Sequence, residues 1–348
     1  MNIRRTFVSA LAVGVVSVAT AGAALATTDV EATRIAGTDR YQTSQFIAGA
    51  TFEGQDVTVA VVASGESYPD ALAASYLAGA LDGPVVLTAK DDLSQAAFDS
   101  LTDLDVSGVI VVGGTAAVSD AVGQQIAGMG IEVDRVAGTD RFATARAIAD
   151  AVPADQIGSL DGDIGRTALL ASGQGFADAL SGGPLAYASA FPMLLTPSNT
   201  LSDQAAASIQ ELGIEQVIIL GGPAAVSSTV RAEVTALGVD VRRIAGNDRT
   251  ATAVAIADLA VDELSFSVTH ANLARGDDFA DALSGSANAG EELAPILLTL
   301  TPDQLGTPTG DYFADKAETL STIHVYGGPA AVTDSTVNAA EVQAGRTP

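Results

Sequence analysis

The side chains best equipped for chemistry in this sequence come in threes. Arg34-Ile-Ala-Gly-Thr-Asp-Arg40 sets two guanidinium groups around a glycine and an aspartate, and the block returns as Arg135-Val-Ala-Gly-Thr-Asp-Arg141 and Arg243-Ile-Ala-Gly-Asn-Asp-Arg249. Guanidinium forks grip anionic or hydroxyl-rich groups, and they form structural ion pairs equally well. Arg34, Arg40, Arg135, Arg141, Arg243 and Arg249 are therefore candidate ligand contacts or candidate bridges between modules. Gly37 and its copies permit a tight turn, and Thr38 or Asp39 is placed to cap a helix beginning near Arg40.

Two further repeated blocks carry polar chemistry. Gly113-Gly114, Gly221-Gly222 and Gly327-Gly328 each follow an apolar run and precede a helical stretch. Such a backbone lets a ligand approach closely, with N–H groups turned toward an anion or a polar sugar; the competing account is a tight strand-to-helix turn. Asp70, Asp178 and Asp281 lie in Tyr68-Pro-Asp-Ala-Leu72, Phe176-Ala-Asp-Ala-Leu180 and Phe279-Ala-Asp-Ala-Leu283. At the start of a helix they are expected to cap it or to bind.

Catalytic patterns are missing. The chain has no cysteine and two histidines, His270 and His324, so it offers no Cys/His metal spacing. Both histidines fall in strand-like runs, at positions matching Val59 and Ile110 of the first copy, and read as strand residues. No nucleophile elbow, phosphate loop or dinucleotide fingerprint occurs. No cofactor or resident metal is expected. Triplicated motifs without a unique cluster favour binding, because three linked weak sites gain avidity on a repetitive polymer.

The elements that position these residues repeat as well. Pro84-Val-Val-Leu-Thr88 returns as Pro192-Met-Leu-Leu-Thr196 and Pro295-Ile-Leu-Leu-Thr299. In the first copy Val57–Ala63, Pro84–Thr88 and Val109–Val112 read as buried strands, and Pro69–Ala80, Ser94–Leu101 and Ser119–Ile126 as helices. Apolar strands alternating with helices predict an α/β fold with parallel sheets covered on both faces. The ends of such strands, at Ser64-Gly65, Ser172-Gly173 and the divergent Arg275-Gly276, are where ligands usually bind. The chain opens with a strand-and-turn that its third copy lacks at the end. Either each module starts with that strand, or the first strand closes the third module into a ring.

The amino terminus reads as an export signal over residues 1–26: Arg4 and Arg5, the apolar run Phe7–Leu25, and a small-residue cleavage site at Ala24-Leu25-Ala26. No later stretch is long and apolar enough to span a membrane. Three modules are then expected over 27–133, 134–241 and 242–348. With 42 acidic against 16 basic residues, a net charge of −26, the chain lacks the basic footprint a nucleic acid requires.

The four blocks, in fixed order, resemble the type 2 cell wall-binding repeat, found in three tandem copies in surface proteins of Gram-positive bacteria. The resemblance spans essentially the whole mature chain. It implies small Rossmann-like or toprim-like modules in a pseudo-threefold arrangement, and a secreted, non-catalytic protein held at the cell surface by an anionic secondary wall polymer. Family members commonly carry an added effector domain; none is expected here. Contact with an anionic polymer would fall to the arginines or to bridging divalent cations. The alternatives are a wall hydrolase or its activator, and a self-assembling surface-layer protein.

Overall fold

The computed structural model describes residues 30–346 apart from 161 and 163, so the export signal lies outside the described residues. The chain begins with β1 (Glu31–Ile35) and α1 (Arg40–Phe52). The first module continues through β2 (Val59–Ser64), α2 (Ala74–Ala80), β3 (Val85–Thr88), α3 (Gln95–Asp103), β4 (Gly108–Val112), α4 (Asp120–Gly128) and β5 (Glu132–Val136). The second repeats this order as α5 (Arg141–Asp150), β6 (Thr167–Ser172), α6 (Ala177–Ala188), β7 (Met193–Thr196), α7 (Asp203–Glu211), β8 (Gln216–Leu220), α8 (Ser228–Ala236) and β9 (Asp240–Ile244). The third comprises α9 (Arg249–Glu263), β10 (His270–Arg275), α10 (Ala280–Glu291), β11 (Ile296–Thr299), α11 (Thr307–Asp315), β12 (Thr322–Tyr326) and α12 (Asp334–Gln343).

Three parallel four-stranded sheets result, ordered β3-β2-β4-β5, β7-β6-β8-β9 and β1-β12-β10-β11. The α/β fold read from the sequence is the one observed. Residues 60–64, 85–88, 167–172 and 193–196 are buried without interruption, as strands covered on both faces must be. Each sheet takes its fourth strand from the Arg-to-Arg block, and for the third sheet that block is at the front of the chain. Strand β1 pairs with β12 in register from Glu31 opposite Thr322 to Ile35 opposite Tyr326. Of the two arrangements the sequence left open, the ring is realised.

The helices following the first strand of each module, α2, α6 and α10, pack on one another at the centre. Their small residues allow this. A side chain at Gly79 would stand 2.3 Å from the Tyr187 carbonyl oxygen, and one at Gly183 would stand 2.3 Å from Ser286 Oγ. At one end of this contact Tyr68, Phe176 and Phe279 meet around the pseudo-threefold axis, with ring centroids 5.3, 5.5 and 6.3 Å apart. Pairs at these separations add to simple area burial.

The expected start of the first central helix differs from the observed one. Residues 69–73 wind as turns before α2, with the Ala71 and Leu72 amides bonded to the Tyr68 carbonyl. Pro69, which has no N–H to donate, stands where the siblings carry Ala177 and Ala280 and where their helices begin. Of the two serines expected to open and cap helices in the first copy, Ser94 accepts an amide from the first turn of α3, while Ser119 precedes α4 without a side-chain capping bond. Ser202, Ser227 and Thr333 each accept an amide from the first turn of the helix that follows.

Candidate functional site

The Arg-to-Arg block is a junction between modules. Its first arginine lies on the fourth strand of one sheet. Arg34 donates to the Gly327 carbonyl at 2.6 Å and the Val332 carbonyl at 2.9 Å, and pairs with Asp334 at 3.0 Å. Arg135 donates to the Gly113 carbonyl at 2.7 Å, and Arg243 to the Gly221 and Val226 carbonyls at 2.5 and 2.8 Å. These guanidinium groups fasten the Gly-Gly turn of the neighbouring strand.

The second arginine opens the next helix, which covers the following sheet. Arg40 donates to the Gly65 carbonyl at 2.6 Å, Arg141 to that of Gly173 at 2.5 Å, and Arg249 to that of Gly276 at 2.6 Å. One block thus holds the strand end of one module and the first strand end of the next. Asp39, Asp140 and Asp248 cap these helices; amide donation to Asp248, with the Thr250 hydroxyl, holds its carboxyl below the usual range. A set missed in the sequence completes the turn. The hydroxyls of Thr43, Thr144 and Thr252, all buried, accept from the Gly37, Gly138 and Gly246 amides at 3.0, 3.0 and 3.1 Å. Their constant offset behind the first arginine was the available signal.

Asp70, Asp178 and Asp281 do not cap. The caps of α2, α6 and α10 are Ala73, Phe176 and Phe279, none with a side-chain capping bond, and Asp178 and Asp281 lie inside the first turn of their helices. Their carboxyl groups turn instead toward the Gly-Gly turn. A Cβ on Gly113 would meet Asp70 Cβ at 2.9 Å; on Gly221 or Gly327 it would lie 2.2 or 2.3 Å from Oδ2 of Asp178 or Asp281. Burial raises the Asp178 carboxyl above its ordinary range, against the Thr252 hydroxyl and Arg249. Burial, with Asp278 nearby, pushes Asp281 up to about 6 despite Arg275 and Arg40.

The two glycines of each pair have different reasons to be glycine. Gly113, Gly221 and Gly327 have φ of 95°, 97° and 98°, a left-handed conformation that strains any other residue. Gly114, Gly222 and Gly328 have no such angle. A Cβ on Gly114 would meet nothing within 4 Å, and on Gly222 or Gly328 only a carbonyl oxygen at 3.9 Å. Neither the backbone nor the neighbouring protein atoms require glycine there.

In the second module the blocks converge on a cleft of about 460 Å³, lined by Ser172, Gln174, Asp178, Ser198, Gly222 and the segment Gly246–Arg249, among others. It lies at the carboxyl ends of the parallel strands β6, β8 and β9, where α/β sheets bind ligands. The sibling positions are not equivalent. In the third module Arg275 replaces the serine and pairs with Asp277 at 2.8 Å, while Arg40 and Arg275 each approach Asp278 at 3.8 Å. In the first, Glu66 accepts from the Lys90 amide at 3.1 Å, where Gln174 accepts from Ser198 in the second.

The two histidines lie in β10 and β12, as read from the sequence. Sequence reasoning missed that they meet each other and Glu292, at the opposite end of the third sheet.

Residues 34–123, 135–231 and 243–337 each match the family described as Cell wall binding domain 2 (CWB2). The chain is 28% identical over 305 residues to N-acetylmuramoyl-L-alanine amidase LytC of Bacillus subtilis (strain 168), covering 88% of this chain and 57% of that protein. It is 27% identical over 284 residues to the Amidase enhancer of the same organism, covering 82% of this chain and 37% of that protein. The solved structure of Cwp6 from Clostridium difficile superposes with a TM-score of 0.78 at 22% identity, over 96% of this chain and 52% of that one. Cwp8 from the same organism gives 0.78 at 22%, over 92% and 52%. The chain thus spans about half the length, or less, of the relatives it matches, and over the superposed span it shares the fold of Cwp6 and Cwp8. With all three of its repeats matched, the chain belongs to the Cell wall binding domain 2 family.

Proposed function

We propose that the protein is a non-catalytic attachment protein, exported to the cell surface and held there by a secondary wall glycan that lies in the clefts between modules. The observation that carries this reading is the second glycine of each pair. Three times over, the chain keeps glycine at a position where a Cβ would meet no protein atom closer than 3.9 Å. A ligand passing close to the backbone gives glycine the reason that the protein itself does not. The cleft of the second module supplies hydroxyl and amide groups from Ser172, Gln174, Ser198 and Asn247, a set suited to a hydroxyl-rich saccharide.

The commitments of the arginines bear on how an anionic polymer is met. The first arginines are spent on carbonyl oxygens of the Gly-Gly turn, and each second arginine holds a glycine carbonyl. Arg249 is the one positive side chain lining the second cleft, beside Asp178 and Asp248. The polymer is therefore gripped mainly through hydrogen bonds, with Arg249 as the cationic contact of the second cleft and with divalent cations bridging to the acidic surface.

Purified protein is expected to cosediment with intact walls and to remain in the supernatant after the secondary polymers are extracted. Because few ion pairs contribute, retention should change little between low and moderate sodium chloride, while a chelator should weaken it. Undiminished binding to extracted walls would contradict the reading.

A further inference from the structure

We propose that His270, His324 and Glu292 form a binding site for one divalent transition-metal ion of the zinc class, in the third module alone. Three donor atoms converge there. His270 Nε2 lies 3.1 Å from His324 Nδ1, and each nitrogen lies 3.5 Å from Glu292 Oε2. A tetrahedral ion bound at about 2.0–2.1 Å holds its ligand atoms about 3.4 Å apart, so the triangle already has the required size. The imidazole rings stand nearly perpendicular, at 86° with centroids 4.4 Å apart. Among the described residues this is the one group of three His, Asp or Glu side chains whose donor atoms all lie within 4.8 Å of one another.

The carboxylate is held in position and left unsatisfied. Glu292 Oε1 accepts from Asn288 Nδ2 at 3.4 Å, and Asn288 in turn meets the buried hydroxyl of Tyr326. Glu292 Oε2 is buried and has no hydrogen-bond partner. An orphaned carboxylate oxygen beside two imidazole nitrogens is costly unless something binds it. The supporting amide is the kind of outer partner that fixes a metal ligand. Imidazole donors select zinc, nickel, copper or cobalt over magnesium and calcium. All three side chains remain partly accessible, at 16%, 20% and 24%, which leaves a side open for entry and for a fourth, solvent ligand.

The sibling modules show that this is a local addition to the fold. At the matching positions the first module has Val59, Leu81 and Ile110, and the second has Thr167, Ser189 and Ile218. Leu81, Ser189 and Glu292 each follow the last residue of the central helix. The pairing places Asn272 opposite His324 and His270 opposite Thr322, so the two histidines are diagonal neighbours on one face. The ion would tie β10, β12 and the end of α10 together, in the module whose sheet is completed from the far end of the chain. The site lies at the amino ends of the strands, away from the clefts, and its existence is independent of the wall-binding reading.

The test uses the full mature chain and two variants, His270→Val/His324→Ile and Glu292→Gln. The first restores residues that the first module carries at these positions, and its far-ultraviolet spectrum should match the parent. In competition with a zinc-binding indicator, the parent should take up one tight zinc ion per chain that millimolar calcium does not displace. The double variant should lose that uptake, and Glu292→Gln should weaken it at least tenfold. Cobalt should give visible d–d absorption with the parent and none with the double variant. Absence of tight zinc uptake by the parent, or equal uptake by parent and both variants, would overturn the proposal. Should the double variant misfold, Glu292→Gln decides.

Discussion

A mature chain shortened to begin at Gly37 should lose the native structure of its third module. Strand β1 supplies five paired positions to the β12 edge, the fully buried Val30, the Arg34 contacts to Gly327, Val332 and Asp334, and an amide from Ala32 to Glu341. With about 1 kcal/mol net per hydrogen bond and about 2 kcal/mol for a buried valine, the loss is on the order of 5 kcal/mol or more. That is comparable with the whole stability of an ordinary domain. The loss is also specific. Relocating residues 30–36 behind residue 345, where the first two modules carry their own fourth strand, should restore the urea midpoint to near that of the parent. A shortened chain as stable as the parent, or a relocated one as unstable as the shortened form, would show that ring closure does not hold the third module together.

The second large effect concerns Asp281. Its carboxyl is raised from 3.8 to about 6, chiefly by burial and then by Asp278. The folded protein therefore keeps a proton that the unfolded chain has released. The associated stability is fully present below about pH 3.8 and is lost as the pH rises through about 6. At neutral pH the ionised group costs at most about 3 kcal/mol, taking about 1.4 kcal/mol for each tenfold change in proton affinity. Asp281→Asn keeps the shape and removes the charge. It should match the parent near pH 4, gain on it between pH 4 and 6, and exceed it by about 1–3 kcal/mol at pH 7. Denaturation midpoints across that range check this. A variant less stable than the parent at pH 7 would mean that Arg275 and Arg40 more than offset the cost of burial.

Much of this architecture was legible in the sequence because it is written three times. Apolar runs such as Val85–Thr88 can only be buried strands once their spacing to Asp70 recurs unchanged, and the Gly-Gly turns mark where each strand hands over to a helix. What was not legible is what depends on a third dimension. Asp70, Asp178 and Asp281 have the composition of caps, yet the aromatic side chains beside them must reach the central axis, and the carboxyl groups are turned to the Gly-Gly turns instead. The two arginines of each block look alike as letters, but one serves the sheet behind and the other the sheet ahead. His270, Glu292 and His324 belong to three separate elements, and only the β10–β12 register brings them together. Whether β1 opened the first module or closed the third was a choice between equal readings, settled by its pairing with β12.

The central claim is that the clefts beside the second glycines hold the wall polymer. It is tested most directly by retention on intact walls of a variant carrying Gly114→Leu, Gly222→Leu and Gly328→Leu. At each position a Cβ meets nothing closer than 3.9 Å, at a backbone angle that a side chain accepts, so the melting temperature should stay within a few degrees of the parent. The account predicts that wall binding then falls at least tenfold while the fold is kept. A folded triple variant that binds walls as well as the parent would contradict it and move the polymer to another surface of the molecule.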